Sequence, residues 1–293
     1  MTEPPTAPRL AAAPISWGVC EVPGWGRVLD ARTVLSAMST LGLTATELGP
    51  PGYLPADPHE LRTLLKEFGL DLVGGFLALA LHRDPDAARA EAERAAALLA
   101  ASGAEVLVLA AATGLEGYDA REDLTAAQWR TLVETASAIR ELAADHGLRT
   151  VVHPHVGTQI ESEAQVERFL ADSDLDLCLD TGHLLIGGVD PVALARSYAA
   201  RIGHVHLKDV RAELAALVRA GEVGYSRAVR DGLYVPLGAG DVDIAAIVRD
   251  LRAAGYRGWY VIEQDAALSA EDSAERPTLD AERSLRHLAS IRI

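Results

Sequence analysis

The chain has 293 residues, 49% of them hydrophobic, and a formal net charge of −15, which argues against nucleic acid or an anionic membrane as partner. No run approaches the ~18 consecutive apolar residues of a membrane span, and the N-terminal MTEPPTAPRLAAAPIS has no basic region followed by a long apolar stretch, so a cytoplasmic protein is expected. The two cysteines, Cys20 and Cys178, belong to no CxxC pair, which argues against a disulfide framework or a cysteine-based zinc site.

Short apolar runs of strand character follow one another at 12–19, 44–49, 71–79, 104–111, 149–155, 174–180, 202–209 and 258–264. Amphipathic stretches separate them. In 124–147, Leu132, Val133, Ala136, Ile139 and Leu142 form a stripe that Gly147 ends. In 241–255, Ile244, Ile247, Val248 and Leu251 share a face and Gly255 is the stop. Residues 210–240 read as a helix plus a long loop. Eight strand–helix units predict parallel strands covered on their outer face, and they close most simply into a (β/α)8 TIM barrel, one domain over 1–293. An open doubly wound sheet is disfavoured because no GxGxxG follows the first strand.

In such a barrel, chemistry sits at the C-terminal ends of the strands, and the polar residues collect there. The second strand ends in Glu47, the fifth in His153 and His155, and the sixth in Asp180, followed by His183. The seventh carries His204, His206, Lys208 and Asp209, and the eighth ends in Glu263 with Asp265 beyond. Each buried charge must be paired or hold a metal. Asp180, His206 and Glu263 come from three successive strands and converge over the barrel mouth, which suits a divalent metal site; a buried salt-bridge network is the other reading. Carboxylate and imidazole donors favour Mn²⁺, Co²⁺, Mg²⁺ or Zn²⁺ over a soft metal. Strand alternation turns His204, His206 and Lys208 the same way. His204, the deepest, reads as layer-filling or as a support for His206, the better ligand. Lys208 suits an electrostatic clamp, a catalytic acid or a plain salt bridge.

The motifs DLCLDTGHLLIGGVDPVAL, IGHVHLKDV, PLGAGDVDIAAI and YVIEQD resemble the xylose-isomerase-like TIM barrels, a group of divalent-metal sugar isomerases, epimerases and dehydratases. HPHVGTQIESEAQVERFL and the segment 206–243 resemble the inosose dehydratase branch of that group. The resemblance implies four metal ligands from strands 5 to 8, onto which Asp180, His206 and Glu263 map. The fourth, commonly a Glu ending strand 5, falls on His153, with Glu161 as the other candidate or, in its plainer role, a helix-terminal residue. Mn²⁺ or Co²⁺ is the favoured ion, with Mg²⁺ or Zn²⁺ as substitutes. The implied reaction dehydrates a keto-cyclitol such as 2-keto-myo-inositol through an enediolate; keto-sugar epimerisation or isomerisation is the main rival, and a non-catalytic sugar- or metal-binding barrel a third reading. Glu263 or Glu161 would take the proton, and His155, His183 or Lys208 would return one to the departing hydroxyl. His183 maps to a position facing substrate hydroxyls, with capping as its plainer role. Glu47 and Lys208 are further substrate contacts. Trp17 and Trp25 offer an apolar wall to the ring, with core packing an equal reading for Trp17. Relatives often form dimers or tetramers, so a homo-oligomer is expected by analogy.

Overall fold

A computed structural model describes residues 8–291. Its parallel strands are β1 (Arg9–Ala12), β2 (Ala45–Thr46), β3 (Asp71–Leu72), β4 (Gly74–Leu79), β5 (Val106–Ala111), β6 (Arg149–Val152), β7 (Asp176–Asp180) and β8 (Ile202–Leu207). After the short strands β9 (Asp209–Val210) and β10 (Tyr234–Val235), β11 (Trp259–Ile262) completes the ring. The order is β3-β2-β1-β11-β8-β7-β6-β5-β4. Only Val73 separates β3 from β4, and it joins both sides: its N–H donates to Thr46 O, and its carbonyl accepts from Glu105 and Val106 N–H. The nine strands are therefore eight staves of a (β/α)8 barrel. Gly74 permits that closure, because a Cβ there would meet the Val106 carbonyl oxygen at 2.4 Å.

Most strands lie where the apolar runs predict. The first differs: the extended segment is Arg9–Ala12, whereas 12–19 holds a 3₁₀ turn, Pro14–Trp17. Pro14 has no N–H for a sheet ladder, and Gly18 closes the turn at φ 81°. The two predicted helices stand at Ala126–Asp145 and Ile244–Ala253. Thr125 and Gln128 form a capping box at the first, and Asp243 caps the second by accepting from Ala246 N–H. The second buries Ile244, Ile247, Val248 and Leu251, each worth roughly 1.5–3 kcal/mol of transfer free energy. Region 210–240 is more ordered than a helix and a loop: β9 and β10 pair antiparallel and bracket two helices, Ala212–Arg219 and Tyr225–Arg230.

Two apolar clusters stand apart from the main core, one of Ala11, Ala13, Ala45, Val73, Trp259 and Val261, the other of Val106, Val108, Val151 and Cys178. Glu47, His153, Asp180 and Glu263, all at or just past the C-terminal ends of strands, form the polar end of the barrel. Among the described residues no helix is long and apolar enough to cross a membrane.

Candidate active site

Four staves deliver one side chain each to the mouth. His153 follows β6 directly, and its N–H extends the ladder to Leu109 O. Asp180 ends β7 and caps the helix Thr181–Ile186: its Oδ1 accepts from Gly182 and His183 N–H at 2.9 and 2.8 Å, which leaves Oδ2 free. Gly182 is needed here, since a Cβ would lie 2.7 Å from Lys208 Cβ on the next stave. His206 lies on β8, and Glu263 follows β11 with its N–H on Leu207 O.

Asp180 Oδ2, His206 Nδ1 and Glu263 Oε2 are buried and have no hydrogen-bond partner among the described residues. They lie within 4.8 Å of one another. His206 Nδ1 is 2.8 Å from Glu263 Oε2 and 3.6 Å from Asp180 Oδ2, without hydrogen-bond geometry. His153 Nδ1 bonds Pro154 O at 2.7 Å, so Nε2 turns toward Asp180 Oδ2, 3.5 Å away. Buried polar atoms left facing one point are costly unless a shared partner sits there, and this donor set is able to hold a metal ion. Charge agrees: Glu47, Asp180, Glu263 and Asp265 crowd around Lys208 and His206, an excess of carboxylates in a dry site.

Glu47 supports this cluster from beneath. Its Oε1 accepts from His204 Nε2 at 2.8 Å and His206 Nε2 at 3.0 Å. Occupying Nε2 of His206 leaves Nδ1 as the nitrogen able to coordinate, an arrangement in which a carboxylate orients a histidine toward a metal. Burial would raise the Glu47 pKa, but His206 and His204 bring it far below the ordinary value. Burial opposes charge on His206, yet the surrounding Cys178, Glu47 and Glu263 hold its pKa well above 6.5.

Lys208 is almost fully buried, with Nζ 2.6 Å from Asp265 Oδ1, 3.1 Å from His183 Nε2, 3.4 Å from Glu263 Oε2 and 3.6 Å from Asp180 Oδ2. Desolvation disfavours its charge, but Asp265, Glu263 and Asp180 push its pKa well above 10.5. Against their own burial, Asp180 is held well below 3.8 by Lys208 and His183, and Glu263 is lowered by Lys208 and His206. Burial, with His153 and Lys208, pushes His155 down to about 3; burial, with His155 and Lys208, takes His183 well below 6.5. Both imidazoles are neutral near pH 7, and Lys208 is a standing ammonium.

A cavity of about 420 Å³ opens over these groups. Glu47, His153, His155, His206, Lys208 and Glu263 all line it. Asp180 and His183 stand behind its wall. Glu161 stands apart from the cluster: its Oε2 accepts from Arg121 Nη1 and Gly157 N–H, both at 3.0 Å. Trp17 is fully buried in the core, with its indole N–H on Thr278 Oγ1, and does not reach the cavity. The apolar wall comes from Trp25, Phe76 and Tyr118. Tyr118 stacks on His155 with ring centroids 5.6 Å apart, and Trp25 lies edge-on to Tyr118 at 6.0 Å. Sequence reasoning did not single out Phe76, Tyr118 or Tyr225. Phe76 sits in a run that reads as core, and no spacing signal marks the two tyrosines.

The sequence profile of the xylose isomerase-like TIM barrel family matches residues 35–291, and the chain belongs to that family. It is an enzyme. An inosose dehydratase of Geobacillus kaustophilus is 33% identical over 279 residues, 89% of each chain. Among solved structures, the IOLI protein with a bound zinc atom superposes with a TM-score of 0.71 at 14% identity, over 96% of this chain and 98% of that one. An L-ribulose 3-epimerase gives 0.67 at 18% identity, over 97% and 94%.

Proposed function

We propose that the protein is a divalent-metal-dependent hydro-lyase that removes water from a keto-cyclitol such as 2-keto-myo-inositol. The observation that carries this reading is the set of unpartnered buried atoms, Asp180 Oδ2, His206 Nδ1 and Glu263 Oε2, beneath a cavity that Lys208 also lines. Support for the substrate class is the 33% identity to an inosose dehydratase over 89% of both chains. Asp180, His206, Glu263 and His153 would hold the ion, with Mn²⁺ or Co²⁺ best matched to mixed carboxylate and imidazole donors. When bound, the ion polarises the substrate carbonyl and stabilises negative charge as the neighbouring C–H is deprotonated. Glu263 lines the cavity as a carboxylate and takes that proton. Lys208 is charged and returns one to the hydroxyl β to the carbonyl, which leaves as water. Proton transfer by a positioned side chain contributes about 10²–10⁴-fold. Trp25, Phe76 and Tyr118 receive the apolar face of the ring, and Glu47 fixes the tautomer of His206.

The test measures diketone formation from 2-keto-myo-inositol by chelator-treated protein, with and without added Mn²⁺. Metal-dependent release of water is expected. Exchange of substrate hydrogen with solvent deuterium but no diketone would identify an epimerase instead, and no reaction on a panel of keto sugars would leave a binding protein. His206→Ala should abolish turnover while the circular dichroism spectrum is unchanged; full activity in that variant refutes the ligand assignment.

A further inference from the structure

The segment between β9 and β10 brings a hydroxyl to the site from outside the barrel. Tyr225 opens the helix Tyr225–Arg230 and is 1% exposed. Its hydroxyl donates to Asp265 Oδ2 at 2.7 Å and sits 2.9 Å from the Tyr234 hydroxyl. The other carboxylate oxygen, Asp265 Oδ1, takes Lys208 Nζ at 2.6 Å. Tyr225 is itself anchored: its N–H donates to Asp119 Oδ1 at 2.9 Å, and its ring packs on Tyr118 and Trp25 with centroids 5.1 and 6.1 Å away. Tyr225 does not line the cavity: its ring packs behind the apolar wall, and its hydroxyl reaches the reacting groups through Asp265.

That link decides where the ammonium points. Lys208 has three N–H bonds. Asp265 and His183 take two of them, and the remaining side of Nζ faces Glu263 Oε2 at 3.4 Å. With Tyr225 holding Oδ2, only Oδ1 of Asp265 is offered to Lys208. Without the tyrosine hydroxyl, the carboxylate is free to turn both oxygens onto the ammonium and draw it out of the cavity.

We propose that Tyr225 is a positioning residue for the elimination step, holding Lys208 through Asp265 where it protonates the departing hydroxyl. The inference rests on the dehydratase reading. First the proton α to the carbonyl passes reversibly to Glu263, the C–H electron pair forms the C=C bond of an enediolate, and the carbonyl π pair moves onto its oxygen. Then that oxygen pair re-forms the carbonyl, the enediolate π pair becomes the C=C bond to the β carbon, and the β C–O bond breaks, its oxygen leaving as water with a proton from Lys208. Solvent then reprotonates Lys208 and accepts the Glu263 proton, and the enol product relaxes to the diketone. Lys208 is needed for C–O cleavage and not for C–H abstraction, so misplacing it slows elimination and spares exchange.

The experiment follows both rates at once, in D₂O, with 2-keto-myo-inositol and Mn²⁺-supplied protein. Tyr225→Phe keeps the packed ring and removes the hydroxyl. It should form diketone about 10- to 100-fold more slowly, the scale of a misplaced catalytic group, while deuterium still washes into recovered substrate. The ratio of exchange to elimination therefore rises, and Asp265→Asn should move it the same way. A Tyr225→Phe protein that loses both rates together, or keeps both, overturns the positioning role and leaves the dehydratase reading standing. Wild-type protein that exchanges without forming diketone overturns that reading and this inference with it.

Discussion

Single side chains at the mouth divide the labour by the hydrogen bonds they already make. Glu47, a candidate substrate contact from sequence, lines the cavity, and its Oε1 accepts from His204 and His206. Glu47→Gln keeps the shape but removes the charge that sets the His206 tautomer. Mn²⁺ affinity measured by calorimetry should fall by about 10- to 100-fold, the usual effect of losing such a partner; unchanged affinity would show that Nδ1 needs no such support. His153 and Glu161 separate in the same assay. His153 Nε2 faces Asp180 Oδ2, whereas Glu161 is engaged by Arg121 and Gly157. His153→Ala should weaken Mn²⁺ binding, and Glu161→Gln should leave it unchanged. Asp180 and Glu263 could be singled out in the sequence because each ends or directly follows an apolar run, where a polar residue has no packing reason to stand, and His206 because strand alternation sets it on one face with His204 and Lys208, nearer the mouth than His204. Tyr225 could not be, because its role exists only once the chain folds back over the barrel.

Elements were legible where local sequence decides them. The run VLVLAA (106–111) is buried along its whole length and could only be a covered strand. The first stave was shifted because AAAPI (11–15) is apolar throughout, and only Pro14 signals that the ladder has already ended. Region 210–240 escaped for a different reason: one buried side chain ties it down from a distance. Asp209 Oδ1 accepts from Val210 and Val242 N–H at 3.0 and 3.1 Å, and Oδ2 from Gly238 and Gly240 N–H at 2.8 and 3.0 Å. An acceptor-only carboxylate suits four converging donors; an amide does not, because its NH₂ would oppose two of them. Asp209→Asn should therefore destabilise the protein by about 2–3 kcal/mol, the scale of hydrogen bonds to a charged group. Urea unfolding reads this directly, and a midpoint within error of wild type would refute the anchoring role.

For the molecule as a whole, packing so many titratable groups into one dry end makes stability depend on pH. His155 is held down to about 3, and His183 and His204 also lie below 6.5, in each case chiefly by burial. Below about pH 6.5 the unfolded chain protonates these three first and the native protein resists, for His155 down to about pH 3, so their contribution to stability is present above 6.5 and is lost on acidification. Burial also lifts Asp265 and Glu161, which take up protons earlier in the native state and work the other way above about pH 4. His206, raised well above 6.5, works the other way near pH 6.5, where the unfolded imidazole is still taking up its proton, and is protonated in both states further down. Below about pH 4.5 the lowered carboxylates Asp180, Glu47 and Glu263 join the histidines, since the unfolded state then binds their protons first. The balance is net proton uptake on unfolding, about 1.4 kcal/mol of stability lost per pH unit for each such proton. Metal-free protein in chelator should accordingly show a Tm that falls from pH 6.5 to 4 and falls more steeply below. His155→Phe keeps a ring against Tyr118 and Phe76 but removes one titrating group, so its Tm should decline less over the same range. A Tm that is flat or rises on acidification would mean that His155, His183 and His204 are charged in the native site.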